Sequence, residues 1–246
     1  MQVNTSALDK DAESYYLNED KGAKFVKEKF IEFAHEEYGT KWILELLNKN
    51  SNVLALGYGD GVQLKKISPA CHRLTIIEGS KLLTDRAAED LKGATCVHTL
   101  FEDFKPTEKF DLIIATHVLE HLDNPVDLLV KMKQWLSKDG KILIAVPNKE
   151  SIHRKLAVIM KLQPQLDTLG PRDIAVGHQR VYSLDTLEKD VLAAGYKIEL
   201  KFGYTLKCLP NSMMLEYSNE LIQALNEIST DIPPHLLANI GMIVKP

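Results

Sequence analysis

Three glycines at alternate positions, Gly57, Gly59 and Gly61, follow the apolar run 53–56. Glycine lacks the Cβ that holds a flat ligand off the main chain, so a strand ending in Gly-x-Gly-x-Gly can lay backbone against a nucleotide-like molecule. Alone the pattern is nonspecific; it gains meaning when a second strand ends in an acid about 20 positions on. Residues 74–77 followed by Glu78 supply that acid. Histidines form the second group. His117 and His121 stand in an H-x-x-x-H spacing that invites a zinc reading. The glutamate sits at 120, beside the second histidine, whereas zinc proteases place it beside the first; with no third ligand evident, no metal is expected. His178 lies beside a basic stretch. Its type suits a base or a substrate contact, or a hydrogen bond that pins this segment to a helix starting at 183.

Composition bounds what can position these groups. With 246 residues, 45% of them hydrophobic and 26% charged, the chain suits a single globular domain over 1–246, with a helical cap over 1–48 and an inserted lid over 149–181. The formal charge of -4 argues against a general nucleic-acid surface. Cys71, Cys96 and Cys208 match neither a metal-ligand nor a disulfide spacing and are expected to be reduced core thiols. No charged leader precedes an apolar stretch, and no run nears the roughly 20 apolar residues that span a bilayer. A soluble, cytoplasmic protein with no membrane contact is expected.

Residues 1–19 are polar apart from Tyr15, Tyr16 and Leu17, an arm expected to fold onto the body. Ala23, Val26, Phe30, Phe33 and Ala34 recur at helical spacing, and 41–47 continues the pattern. From 52 to 147 strands and helices alternate: strands at 53–56, 74–77, 95–98, 110–115 and 141–146, and helices from 62, over 81–91 and over 125–136, with a Lys-Asp-Gly turn before the last strand. Alternation of this kind implies a parallel sheet with the ligand at the carboxyl ends of its strands. Pro164, Gly170, Pro171 and Gly177 then interrupt a helical piece over 152–162. This insertion carries six Lys and Arg against three carboxylates, either a solvated face or a cationic lid for an anionic substrate. Ser183 and Gly195 bracket a helix, 196–202 reads as a strand, 213–228 as a helix and 235–244 as a final strand, which makes an antiparallel edge hairpin. Tyr182 either closes over the ligand or packs; Met213 and Met214 are expected to pack.

Four segments, 53–61, Glu78, 100–104 and 110–125, stand in the order found in class I S-adenosylmethionine-dependent methyltransferases. The chain resembles the small-molecule branch that includes ubiquinone-biosynthesis O-methyltransferases and sugar methyltransferases, and 136–148 and 177–183 match further segments of it. The resemblance implies an α/β, Rossmann-like three-layer sandwich whose seven-stranded sheet is mostly parallel with an antiparallel last strand. It implies S-adenosylmethionine as cofactor, with S-adenosylhomocysteine as product. Gly57, Gly59 and Gly61 would lie against its methionine and ribose, and Glu78 would accept from both ribose hydroxyls. Leu100 and Phe101 would border the adenine, Glu102 its amino group, and Thr116 and His117 the transferring methyl. Tyr16, Tyr58 and Gly79 complete the expected cofactor set. The chain departs from the family at Ala55, where an acid is usual, and at Tyr58, where the residue is usually small or cysteine.

Methyl transfer from a sulfonium is an in-line displacement, so the protein must align the reactants and exclude water. A hydroxyl acceptor benefits from a general base, for which His178 and His117 are the candidates, whereas His121 is expected to fix its loop. The expected acceptor is a small metabolite methylated on O or N, anionic sugars, nucleotide-sugars and biosynthetic intermediates among the candidates, and the expected assembly is a monomer or homodimer. Alternatives are RNA or protein methylation, or an inactive cofactor-binding partner subunit. A nicotinamide-dependent dehydrogenase is disfavoured because Gln63 stands near where its third glycine would be.

Overall fold

The computed structural model describes residues 6–13 and 22–246; Tyr15 and Tyr16 lie outside the described residues. Seven strands form one sheet: β1 (Asn52–Leu56), β2 (Arg73–Glu78), β3 (Thr95–His98), β4 (Phe110–Thr116), β5 (Leu136–Pro147), β6 (Lys197–Tyr204) and β7 (Asn239–Lys245). Their order is β3-β2-β1-β4-β5-β7-β6. The first five run parallel, and β7 pairs antiparallel with both β5 and β6.

The apolar run of β1 is buried on both sides because helices cover both faces. Leu54, Leu56 and Ile113 pack on one face against α6 (Pro125–Lys133) and α9 (Leu184–Ala193). Val53, Ala55 and Ile114 pack on the other against α3 (Lys41–Leu44), α4 (Val62–Ile67) and α5 (Lys81–Asp90). Each such aliphatic side chain contributes about 1.5–3 kcal/mol on burial. The remaining helices are α1 (Ser6–Ala12), α2 (Gly22–Gly39), α7 (Ile152–Ile159), α8 (Pro171–Ala175) and α10 (Asn219–Glu227). Among the described residues no helix is long and apolar enough to cross a membrane.

Several boundaries differ from expectation. Helix α6 stops at Lys133, and Leu136 already pairs with Phe110, so the Lys-Asp-Gly segment is an irregularity inside β5. Gly140 is required there, since a Cβ would approach the Phe110 carbonyl oxygen to 2.7 Å. Helix α10 begins at Asn219, because the Ser218 hydroxyl accepts from the Leu221 N–H and caps it; Met213 is left exposed while Met214 is buried. Strand β7 starts at Asn239, after a single turn at Pro234–Leu236 that proline cannot continue as a ladder. Helix α7 ends at Ile159, with Lys161 in the left-handed region at φ 59°. The three cysteines are free thiols at half-buried positions, not in the deep core. The Tyr182 ring is buried and its hydroxyl donates to Asp190, a packing role.

In the middle of β7, a Cβ on Gly241 would lie 2.3 Å from the Phe202 ring and 2.5 Å from the Ile144 carbonyl. Gly241→Ala is therefore expected to lower stability by about 2–3 kcal/mol, read from the midpoint of urea unfolding.

Candidate functional site

A cleft of about 910 Å³ opens at the carboxyl ends of β1, β2 and β4. At its centre the chain leaves β1 through Gly57 (φ 84°) and Gly61 (φ 77°), conformations that side chains other than glycine resist. Glu78 ends β2 beside this turn. Its Oε2 accepts from the Tyr58 N–H at 2.9 Å and its Oε1 from the Ser80 N–H at 2.8 Å. Burial pushes the Glu78 carboxyl above its ordinary range despite these two bonds. Each oxygen keeps further acceptor capacity, and the residue lines the cleft. The Tyr58 side chain points away from this role: it is buried beneath Gly61 and its hydroxyl donates to Asp90 at 2.5 Å.

Leu100, Phe101, Glu102 and Gly79 line the same cleft. A Cβ on Gly79 would lie 2.8 Å from Leu8, which places α1 directly over this end. Below the turn, Ala55 is buried with no acid in its place, but α2 brings Glu36 against Asp60 at the cleft wall. Burial and the neighbouring Asp60 push the Glu36 carboxyl well above its ordinary range. Thr116 donates to Gln63 Oε1 at 3.0 Å, joining the end of β4 to α4.

The opposite wall is a network of acids and histidines. His117, in the left-handed region at φ 54°, uses Nδ1 on Glu120 Oε1 (3.2 Å) and Nε2 on the Tyr204 hydroxyl (3.3 Å), so both ring nitrogens are engaged. A strained non-glycine residue costs on the order of 1–3 kcal/mol, retained where the surroundings over-determine it. Glu120 is fully buried. Burial pushes its carboxyl up, but the His117 hydrogen bond and the surrounding histidines outweigh that and hold it below its ordinary value. His178 Nδ1 meets Asp173 Oδ1 at 3.0 Å, and its Nε2 faces Glu120 Oε1 at 3.8 Å. Asp173 also pairs with Arg154 at 2.7 Å and accepts from the Gly170 N–H. Burial alone would raise Asp173; these partners hold it well below the usual carboxylate range. An ionised carboxylate only accepts, so Nδ1 of His178 carries a hydrogen, and in the neutral form of the ring Nε2 is the lone pair. The His121 ring stands edge-on to His178 with centroids 4.7 Å apart, and burial pushes it down. One atom each of Glu120, His121 and His178 falls within 4.8 Å of the others, so the metal-capable group leaves out His117 of the H-x-x-x-H spacing and takes its third residue from the segment 149–181.

The family profile described as a methyltransferase domain matches residues 30–201, more than half of the chain. The chain belongs to the class I S-adenosylmethionine-dependent methyltransferases. Solved structures share its fold at low identity. N-methyltransferase NodS from Bradyrhizobium japonicum WM9, in complex with S-adenosyl-L-homocysteine, aligns at 16% identity and a TM-score of 0.57 over 96% of each chain. DhpI in complex with S-adenosylhomocysteine aligns at 13% identity and 0.58, covering 98% of this chain and 93% of that one. An S-adenosylmethionine-dependent methyltransferase from Mesorhizobium loti aligns at 14% and 0.58, covering 85% and 96%. No protein of curated function matches the sequence.

The methyltransferase uses S-adenosylmethionine, and the residues present fit it: the glycine turn leaves open space above Gly59, where a Cβ would meet nothing within 4 Å, beside a carboxylate with spare acceptor capacity. The structure gathers Gly57, Tyr58, Gly59, Gly61, Glu78, Gly79, Leu100, Phe101, Glu102, Thr116, His117 and His178 around one cleft. Tyr16 lies outside the described residues. Sequence reasoning missed Asp173 and Arg154, which orient His178 and tie α7 to α8. Nothing in the sequence marks them beyond the ordinary charges of the segment 149–181, because their partners are set by a fold-back of irregular chain. Arg154 is 8% exposed, so Asp173→Ala would leave a buried guanidinium without its carboxylate. A loss of about 3 kcal/mol in the urea unfolding free energy is expected, whereas a surface pair would change it by less than about 1 kcal/mol.

Proposed function

We propose that the enzyme methylates an O or N atom of a small, anionic metabolite, and that the cleft between Glu78 and His178 holds cofactor and acceptor together. The observation that carries this reading is Glu78, a carboxylate fixed through both oxygens by backbone N–H groups beside a glycine turn. In this reading Glu78 accepts from the ribose hydroxyls, Leu100 and Phe101 border the adenine with Glu102 near its amino group, and Gly57, Gly59 and Gly61 lie along the ribose and methionine. Glu36 and Asp60 take the part of the acid that Ala55 lacks, as hydrogen-bond acceptors near the methionine ammonium, whose positive charge favours their ionised forms. When bound, S-adenosylmethionine supplies an electrophilic methyl group on a sulfonium.

Residues of the chain do the rest. The segment 149–181 acts as a lid that excludes water, and Thr116 and His117 border the methyl. His178 Nε2 takes the proton from the acceptor as its oxygen or nitrogen forms the new bond to carbon, with Asp173 fixing the tautomer and Glu120 placed to stabilise the protonated ring. His117, engaged at both nitrogens, positions Glu120 and does not itself move a proton. The volume, at the upper end of the ~300–1,000 Å³ usual for ligand pockets, supports room for two small ligands.

Titration calorimetry with S-adenosylmethionine, S-adenosylhomocysteine and NAD tests this. Both sulfur compounds are expected to bind and NAD not to, and Glu78→Ala is expected to weaken binding by about 1.5–3 kcal/mol. Unchanged affinity in that variant would remove Glu78 from the site.

A further inference from the structure

One part of the same cleft is lined by polar groups that are not matched to one another. Lys207, in the loop after β6, lines it together with His35 of α2, His153 and Arg154 of α7, Arg172 of α8 and Asn211. Arg154 is ion-paired with Asp173 and Arg172 with Glu32. Among the described residues Lys207 has no carboxylate at ion-pair distance and no hydrogen-bond acceptor; Asp173 and Glu28 attract it only from farther off.

Three side chains of this lining, His35, His153 and Asn211, also have a buried polar atom without a partner, and for two of them that atom is an acceptor. The Asn226 amide donates to the Ala34 carbonyl, so its oxygen accepts from His35 Nδ1 at 3.1 Å. His35 Nε2 is then a lone pair, and it is buried without a donor. Burial and Lys207 push His35 down to about 3, so the ring stays neutral and Nε2 stays an acceptor. Asn211 donates its amide hydrogen to Glu32 at 3.5 Å, which leaves Oδ1 as a second buried acceptor with no donor. Most buried polar groups in folded proteins are paired, so a cation lacking an anion beside two acceptors lacking donors describes a ligand.

We infer that the methyl acceptor is a hydroxylated anion, its phosphate or carboxylate seated on Lys207 and its hydroxyls donating to His35 Nε2 and Asn211 Oδ1. This rests on the proposed small-molecule function and sharpens it to a substrate class. Burial, together with Arg172 and Arg154, pushes the Lys207 ammonium down to about 7, and an incoming anion restores its charge. An uncharged polyol would leave that ammonium unpaired.

The test uses the full chain saturated with S-adenosylhomocysteine, titrated with glucose 6-phosphate, glucuronate, inorganic phosphate and glucose. At least one of the two sugar anions is expected to bind at least about tenfold more tightly than either glucose or inorganic phosphate, and which one binds better separates a phosphate from a carboxylate. Lys207→Gln is expected to lose at least about tenfold of that affinity, and Lys207→Arg to retain most of it, with S-adenosylhomocysteine affinity unchanged in both as the control for folding. The inference is overturned if neither sugar anion binds the wild type more tightly than glucose, or if Lys207→Gln binds it as well as the wild type. Loss of S-adenosylhomocysteine binding by the wild type would instead overturn the cofactor reading, so the two failures are distinguishable.

Discussion

The structure turns on one carboxylate. Glu78 closes β2 and receives the N–H groups of Tyr58 and Ser80, so a single side chain fixes both the glycine turn after β1 and the first turn of α5. Each bond to an ionised acceptor contributes about 1.5–3 kcal/mol where the alternative is a buried, unpaired donor. The same two bonds aim the remaining acceptor capacity into the cleft. Parallel pairing of β1 with β2, in register from Asn52 with Arg73 to Leu56 with Ile77, is what brings turn and acid together.

A second pair of acids organises the other wall. Glu120 receives His117 from the end of β4 and faces His178 of the segment 149–181, while Asp173 joins His178 to Arg154. That segment and the sheet are therefore linked through histidines held by carboxylates. In the proposed mechanism this puts Nε2 of His178 where the segment meets the strand that borders the transferring methyl.

Much of the sheet was legible in the sequence. Short apolar runs bounded by glycine and acid at Val53 and Leu74 are strands buried on both faces, and Ser183 and Gly195 cap α9 as their chemistry dictates. The glycine turn and Glu78 at one end of the cleft were legible for the same reason, since they act through local backbone geometry. The end around Lys207 was not. Lys207 sits in a loop and Asn211 and Asp173 in single short turns of helix, and the contacts that shape this end join segments far apart in sequence, as Asn211 with Glu32 and His35 with Asn226, so no periodicity announces them. The irregular entry to β5 escaped notice because Gly140 reads as a turn residue while its actual role is to let the strand pass the Phe110 carbonyl.

In the proposed site everything hinges on Glu78 reading the ribose of S-adenosylmethionine. Calorimetry of S-adenosylhomocysteine against its 2′-deoxyribose analogue, on the wild type and on Glu78→Gln, tests this. A buried acceptor built for a hydroxyl penalises the ligand that lacks one. The wild type is expected to bind the deoxy analogue at least about tenfold more weakly, and the variant to narrow that gap to within about threefold. Equal affinity of the wild type for both compounds would contradict it.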